Sequence, residues 1–354
     1  MENKRIKEYD LARAIAIIFM IAVHTLASVY DGGNTTFYAI FTNLGSPFCA
    51  PIFMFILGSN IYTSKHNSPK ELFTRGLKIF SLSYLFNIVC HALPYFILDH
   101  LHGTVNYAEN ALHWIFAVDI LTFAGLAFMF FGLVRYLKLN NKLLVIIAVV
   151  LSFLNMILVK NYQIDFETSP ILAAVTSLFY NSSMPGYFSF FGWIIFPIAG
   201  YLFIQFRNKA TNLDKFYLKT GGICLIAYVI LSILAYKVNV DTYLVYPGSD
   251  IRYYYANPYE GIGYVIFCIA WISIMYFLSK ITPTFINKTV NRLSHNLTTI
   301  YVIQWFLINY LLVLPTDYSF PMNEIQYILA VLGVVILADL IAASYKKYIY
   351  WSKR

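Results

Sequence analysis

Charged residues are scarce in this sequence. Of its 354 residues only 12% are charged, whereas 59% are hydrophobic. Soluble globular domains carry about 25% charged residues, so the composition excludes an ordinary soluble domain. Apolar stretches of about 20 residues, which is the length that a helix needs to cross a bilayer, recur along the whole chain. The composition therefore indicates a polytopic membrane protein.

The sequence also lacks the alternating segments of about ten residues that form transmembrane β-strands. Every backbone N–H and C=O group inside a bilayer needs a hydrogen-bond partner, and a helix supplies these partners within each span. We therefore predict an all-α fold, namely a polytopic bundle of transmembrane helices. We expect it to form a single integral-membrane domain over residues 1–354.

Cysteine is rare as well, and its positions suggest no site. The four cysteines lie in or beside apolar runs, as small buried side chains do. Their spacing gives neither a disulfide framework nor a metal-binding motif, and His91 and His113 are not spaced as metal ligands either. We therefore expect no bound metal. The cysteines are Cys49, Cys90, Cys224 and Cys268.

Lysine and arginine are distributed unevenly between the loops. They concentrate in alternate loops and at both ends of the chain, and the opposite loops hold only Lys160, Lys237 and Arg252. This positive-inside pattern predicts about ten spans with both termini in the cytoplasm. The net charge of +8 then reflects topology and contact with anionic lipids, not nucleic-acid binding. The ten predicted spans are 9–30, 44–64, 77–98, 118–137, 142–160, 187–206, 217–236, 260–279, 296–314 and 324–345.

Shorter elements are predicted between the spans. Ser68, Pro69 and Glu71 form the pattern of a capping box at the start of a helix. Residues 107–117 resemble an interfacial helix in composition. Residues 171–180 are apolar enough to be a half-buried or re-entrant segment.

The first span carries ionisable residues that are costly in lipid and therefore indicate a functional site. Arg13 and His24 are eleven residues apart. Eleven steps of about 100° return almost to the starting direction, so the two side chains share one helix face, about 16 Å apart along the axis. Asp10 can pair with Arg13 at i−3. The length of the span and Arg13 within it also argue against a cleaved signal peptide.

These positions suggest chemical roles, each with an alternative. His24 lies in the outer part of its span and is suited to be a general base, or it bonds a neighbouring helix. Arg13 lies near the cytoplasm, where it either binds phosphates or pairs with Asp10 or lipid head groups. Asp119, at the outer end of the fourth span, either orients the imidazole of His24 or caps its own helix. Asp339 is available to Arg13 or to a loop lysine.

The spacing of Arg13 and His24 resembles the signature of the membrane-embedded acyltransferase-3 proteins. Three segments look closer to the heparan-α-glucosaminide N-acetyltransferase-like branch of that superfamily: DLARAIAIIFMIAV (10–23), APIFMFILGSNI (50–61) and NLTTIYVIQW (296–305). The resemblance extends from end to end of the chain. This sequence departs from the family pattern at Gln304, where histidine is frequent.

The resemblance implies transfer of an acetyl or other acyl group from cytosolic acetyl-CoA to a hydroxyl or amine of an extracytoplasmic sugar or glycan. His24 matches the catalytic histidine. Asn296 and Tyr301 match residues of the penultimate helix, and together with Gln304 they are expected to line the acetyl-CoA tunnel or polarise the carbonyl group. The expected location is the cell (plasma) membrane, in contact with lipids, and a homo-oligomer is compatible with the sequence.

A transporter or a flippase for a lipid-linked sugar is the alternative, because polar groups along one span can also line a substrate path. The inverted repeats and paired broken helices of many transporters are not evident in the sequence, which disfavours this alternative. For the enzyme we expect the acceptor to bind from outside, over the loops 99–113, 161–185 and 237–259. The last loop is rich in tyrosine, whose rings can stack on sugars.

Overall fold

A computed structural model describes residues 5–30, 32–102, 107–183, 186–238, 250–316 and 321–352. These ranges contain helices and no strand, and one isolated β-bridge joins Tyr30 to Met322. The predicted all-α fold is confirmed.

Sixteen α-helices and two π-helical segments follow one another along the described chain. The π-helical segments are Asn87–Ala92 and Ile308–Val313. The α-helices are α1 Lys7–Val29, α2 Thr35–Phe48, α3 Ala50–Thr63, α4 Pro69–Phe86, α5 Leu93–His102, α6 Tyr107–Ile115, α7 Ile120–Tyr136, α8 Asn141–Asn161, α9 Pro170–Ser177, α10 Phe190–Trp193, α11 Ile195–Lys209, α12 Leu213–Lys237, α13 Asp250–Tyr255, α14 Pro258–Ile281, α15 Thr284–Leu307 and α16 Glu324–Ser352.

Eight helical stretches among the described residues are long and apolar enough to cross a membrane. The half-helices Thr284–His295 and Leu297–Val313, bent by 76° relative to each other, are long and apolar enough only as a pair, and we count this pair as a ninth, broken span. The shorter apolar helix α3 lies where the second span is predicted. The ten predicted stretches therefore all coincide with apolar helices, and the polytopic bundle is confirmed. The cytoplasmic location of both termini stays a prediction.

The second predicted span, 44–64, is not one helix. α2 ends at Phe48, and Cys49 has φ −104° and ψ −94°, which is not a helical conformation. A new helix, α3, begins at Ala50, with Pro51 in its first turn, where the missing N–H of proline costs nothing. Hydropathy continues through this point, and the prediction took Pro47 and Pro51 as residues near the start of one span, so it missed the break that they flank.

Each of the three shorter predicted elements contains a helix or a helix start. The backbone N–H of Glu71 donates to Ser68 Oγ at 3.3 Å, and the backbone N–H of Ser68 donates to Glu71 Oε2 at 3.1 Å, so the capping box at the start of α4 is confirmed. Residues 107–117 and 171–180 contain the short helices α6 and α9. Their positions at or within the membrane stay predictions.

The chain divides into two compact units. The first contains Ala50–Asn87 and Leu112–Ile274, and the second contains Arg5–Cys49, Ile88–Ala111 and Met275–Arg354. The expectation of a single domain over residues 1–354 stays a prediction.

Small residues allow helices of the first unit to pack closely. A Cβ atom on Gly58 of α3 would lie 1.8 Å from the Pro197 carbonyl oxygen of α11, and one on Gly200 would lie 1.8 Å from the Phe55 carbonyl oxygen. The hydroxyl of Ser59 donates to the Gly200 carbonyl at 2.8 Å across the same contact. This use of small residues, with a polar side chain joining the backbones, is typical of helix packing in membranes.

In the second unit α1 packs against α2, α15 and α16. Its contact face is apolar, with Ala12, Ile17 and Ile21 fully buried. Towards α16, the hydroxyl of Tyr327 donates to the Ala22 carbonyl at 3.0 Å. α1 therefore packs against helices of its own unit, and Arg13 and His24 lie half-buried on its face.

Asp339 joins α16 to α15. It accepts two hydrogen bonds from Arg292, at 3.0 Å from Nε and at 2.6 Å from Nη2. The partner of Asp339 is therefore Arg292, and not Arg13 or a lysine as the sequence suggested.

Candidate active site

One end of the polar face of α1 is a charged cluster. Nη1 of Arg13 lies 3.5 Å from Asp10 Oδ1 and donates to Ser294 Oγ of α15 at 3.3 Å. Ser294 donates in turn to Asp10 Oδ1 at 2.6 Å, and Arg5 also contacts this carboxylate. Asp10 is buried, and these partners compensate its charge. The predicted pairing of Asp10 with Arg13 is therefore present, with Ser294 as an additional member.

The other end of the face holds His24, which is bonded to α15. The side-chain amide of Gln304 is hydrogen-bonded to Nδ1 of His24, with 2.8 Å between Nε2 and Nδ1. Gln304 is fully buried, so its amide is held in place. A bond of this kind fixes the orientation of the imidazole ring and its tautomer. The structure thus brings together two residues that the sequence prediction placed in the site separately.

Aromatic residues of α15 surround the same imidazole. The ring of Trp305 stacks on that of His24, with centroids 4.3 Å apart and an angle of 27° between the planes. Tyr301 meets His24 edge-on at 6.4 Å and 74°. Tyr301, Gln304 and Trp305 are spaced i, i+3 and i+4, so they share one helix face directed at α1.

A second histidine lies on the indole of Trp305. The ring of His91 contacts it at 4.6 Å between centroids, with 71° between the planes. Asn309 Nδ2 donates to His91 Nδ1 at 3.2 Å and to the Cys90 carbonyl at 2.6 Å. His91 and Asn309 belong to the two π-helical segments, a distortion that often occurs at functional sites.

Three buried polar atoms of α15, the helix that carries Gln304 and Trp305, have no hydrogen-bond partner among the described residues. They are Asn296 Oδ1, Gln304 Oε1 and Trp305 Nε1. No other side chain in the described part of the second unit has such an atom. Because an unpaired buried polar atom costs about 1–3 kcal/mol, each of the three could gain from a polar group of a ligand.

Asn296 also occupies the bend of the ninth span. It is the residue between the half-helices Thr284–His295 and Leu297–Val313, which are bent by 76°. Its side chain is buried. Broken helices within a membrane protein are frequent where substrates bind, because the irregular backbone then lines a cavity.

Five of the six predicted site residues lie in the second unit: Arg13, His24, Asn296, Tyr301 and Gln304. Asp119 belongs to the first unit, where it occupies the position before α7 and makes no capping hydrogen bond with its side chain. Its expected action on His24 stays a prediction. Among the described residues no group of three or more His, Cys, Asp and Glu side chains is arranged to hold a metal ion.

The sequence prediction missed Trp305, His91 and Ser294. Trp305 follows Gln304 directly and is i+4 from Tyr301, so the helical period could have identified it. His91 gave no such signal, because its approach to Trp305 depends on contacts between segments more than two hundred residues apart.

Comparison with known proteins identifies a family for this chain. The sequence model of one protein family, described as an acyltransferase domain, matches residues 6–343. No curated protein matches the chain. The family match covers Asp10, Arg13, His24 and all of α15. Because it extends over nearly all of the sequence, the protein belongs to the acyltransferase-3 family and is a membrane acyltransferase.

Proposed function

We propose that this protein transfers an acetyl group from cytosolic acetyl-CoA to a hydroxyl or amine of an extracytoplasmic sugar or glycan, at the cell membrane. The observation that carries the proposal is the imidazole of His24, bonded to the buried amide of Gln304 beside unpaired polar atoms. In an acyltransferase, a histidine so placed has an evident task, since acyl transfer needs a base for the incoming nucleophile.

His24 acts as the base through Nε2 in this proposal. That nitrogen must be unprotonated, so Nδ1 must carry the hydrogen and donate a hydrogen bond to an acceptor. A half-turn of the Gln304 amide would bring Oε1 to Nδ1 and would place the N–H₂ group at the position that has no partner among the described residues, where it can donate to a substrate. The oxygen and nitrogen of an amide are assigned from such networks, and both orientations occupy the same space.

The reaction then follows in balanced steps. His24 Nε2 takes the proton of the acceptor O–H or N–H, and the acceptor atom attacks the carbonyl carbon of the thioester. The C–S bond breaks, and His24 returns the proton to the departing thiolate. Positioning of the two substrates and proton transfer together supply the rate enhancement.

The remaining predicted residues bind the donor in this proposal. Arg13 faces the phosphates of acetyl-CoA, because it lies near the predicted cytoplasmic end and a guanidinium binds phosphate through paired hydrogen bonds. Asn296, Tyr301 and Gln304 line the path of the acyl chain. The unpaired Oδ1 of Asn296 supports this role, since it can accept a hydrogen bond from an amide of the pantetheine arm.

The proposal is tested with the variant His24→Ala, purified and reconstituted in liposomes. Removing the base should lower the rate of acetyl transfer roughly 10²–10⁴-fold, because general-base catalysis contributes about that factor. The rate is measured with labelled acetyl-CoA and a panel of sugars. The matched control is His66→Ala, since His66 is 82% exposed and lies in the first unit. Parental transfer by a folded His24→Ala protein, or no acetyl transfer by the parent to any sugar, would contradict the proposal.

A further inference from the structure

The indole of Trp305 lies against His24 in a way that neither the family match nor the sequence motif accounts for. The two rings are nearly parallel, 27° apart, with centroids at 4.3 Å. At this separation the face of the indole, and not its edge, covers the imidazole. The face of an indole carries the negative part of its quadrupole and attracts a cation placed over it.

We propose that Trp305 is a positioning residue that stabilises the charged form of His24 while the proton of the acceptor rests on it. This inference depends on the proposed function, because it gives the base a means of carrying positive charge in a buried site. Gln304 contacts Nδ1 within the plane of the imidazole, whereas Trp305 acts from above the plane. The two residues therefore assist the same base by different means.

His91 also packs against the indole of Trp305 and restrains it. That ring meets Trp305 edge-on at 4.6 Å and is itself bonded to Asn309. His91 and Asn309 are both buried, so the indole has little room to rotate away from His24. The hydrogen bond from Asn309 to His91, which joins the two π-helical segments, therefore supports the ring against which the indole packs.

A stacked indole affects catalysis more than substrate binding in this arrangement. The positive charge on His24 exists only while the proton is in transfer, so stabilising it lowers the barrier without binding the ground state more tightly. A desolvated contact of a cation with an indole changes an equilibrium by roughly ten- to thirtyfold. We therefore expect Trp305→Leu to lower kcat by about that factor while KM stays within twofold of the parental value.

The test compares Trp305→Leu with Trp305→Phe in reconstituted protein, with labelled acetyl-CoA and an accepted sugar. Phenylalanine keeps an aromatic face, so its kcat should lie within about threefold of the parental value. Trp271→Leu is the matched control, because Trp271 is a stacked tryptophan of α14 in the first unit. Its kcat should be unchanged.

Several results would overturn the inference. These are a parental kcat in Trp305→Leu, an increase of KM alone, or an equal loss in the leucine and phenylalanine variants. If Trp305→Leu does not fold, His91→Ala replaces it, since this change removes the ring that packs against the indole and should lower kcat several-fold. An unchanged kcat there contradicts the inference. A parent that transfers no acetyl group contradicts the proposed function instead, so the two failures are distinguishable.

Discussion

Gln304 and His24 form a pair whose chemistry depends on which amide atom faces the imidazole. If Gln304 Oε1 accepts a hydrogen bond from the N–H at Nδ1, as the proposed mechanism requires, a carboxylate of the same shape can replace the amide. Gln304→Glu should then keep acetyl transfer within about tenfold of the parent, whereas Gln304→Leu, which supplies no acceptor, should lose more than that. Initial rates of acetyl transfer at saturating substrates check this. Equal losses in both variants would show that the amide N–H₂, and not its oxygen, is the group that matters.

Arg13 offers a second prediction for a single residue. Arg13→Gln should weaken the binding of acetyl-CoA roughly 10- to 100-fold, since hydrogen bonds to charged groups contribute about 1.5–3 kcal/mol. The fold should survive, because Asp10 keeps Ser294 and Arg5 as partners. Calorimetry on detergent-solubilised protein gives the Kd. Arg292→Gln is the control, as Arg292 is another arginine of the second unit and pairs with Asp339. An unchanged Kd for Arg13→Gln would mean that Arg13 does not bind acetyl-CoA and only pairs with Asp10.

The close contact between α3 and α11 gives a prediction about stability at the scale of secondary structure. A methyl group at Gly58 would lie 1.8 Å from the Pro197 carbonyl oxygen, which is backbone and cannot turn aside. Gly58→Ala should therefore destabilise the protein by about 1–3 kcal/mol or more, as overpacking does. Gly333→Ala is the control, because a methyl group there would meet nothing within 4 Å. Thermal unfolding in detergent compares them, and equal midpoints would contradict the tight contact.

Helices were predictable from the sequence where the signal is local. Hydropathy located the spans, and the pattern of Ser68, Pro69 and Glu71 predicted how α4 begins. The π-helical segments were not predictable, because neither contains the glycine or the combination of turn residues that usually marks irregular backbone. Each is supported by the other: Tyr310 donates to the Val89 carbonyl at 2.6 Å, and Asn309 donates to that of Cys90. Such support between distant segments leaves no trace in local composition.

The candidate site was only partly predictable, because it joins residues that are far apart in the chain. His24 and Gln304 are 280 residues apart, and no spacing rule connects them. The shared helix face of Arg13 and His24 followed from the helical period, whereas Gln304, Asn296 and Tyr301 came from the family resemblance. Neither the helical period nor the family resemblance identified Trp305 and His91, since their roles arise from ring contacts that only the folded second unit provides.

The predicted orientation in the membrane leads to the last prediction, which concerns the side from which each substrate enters. His24 lies towards the predicted outer end of α1 and Arg13 towards the cytoplasm, about 16 Å apart along the helix. The basic loops concentrate on the predicted cytoplasmic side, where they favour the phosphates of acetyl-CoA. Of the acceptor loop 237–259, residues 239–249 lie outside the described part of the chain. We expect the acceptor to reach His24 from the outside and the donor from the cytoplasm.

Sealed vesicles with the protein in one known orientation can test this directly. Acetyl-CoA is supplied only at the cytoplasmic face and the sugar only at the opposite face, and the acetylated sugar is measured by mass spectrometry. Product should form in this arrangement and not when both substrates are confined to the outer face, because acetyl-CoA does not cross the bilayer. The His24→Ala protein, inserted in the same orientation, controls for leakage and uncatalysed transfer. If product forms only with both substrates on the cytoplasmic side, the proposal of transfer across the membrane is wrong. The role of His24 as the base is then still tested by the rate of the His24→Ala protein.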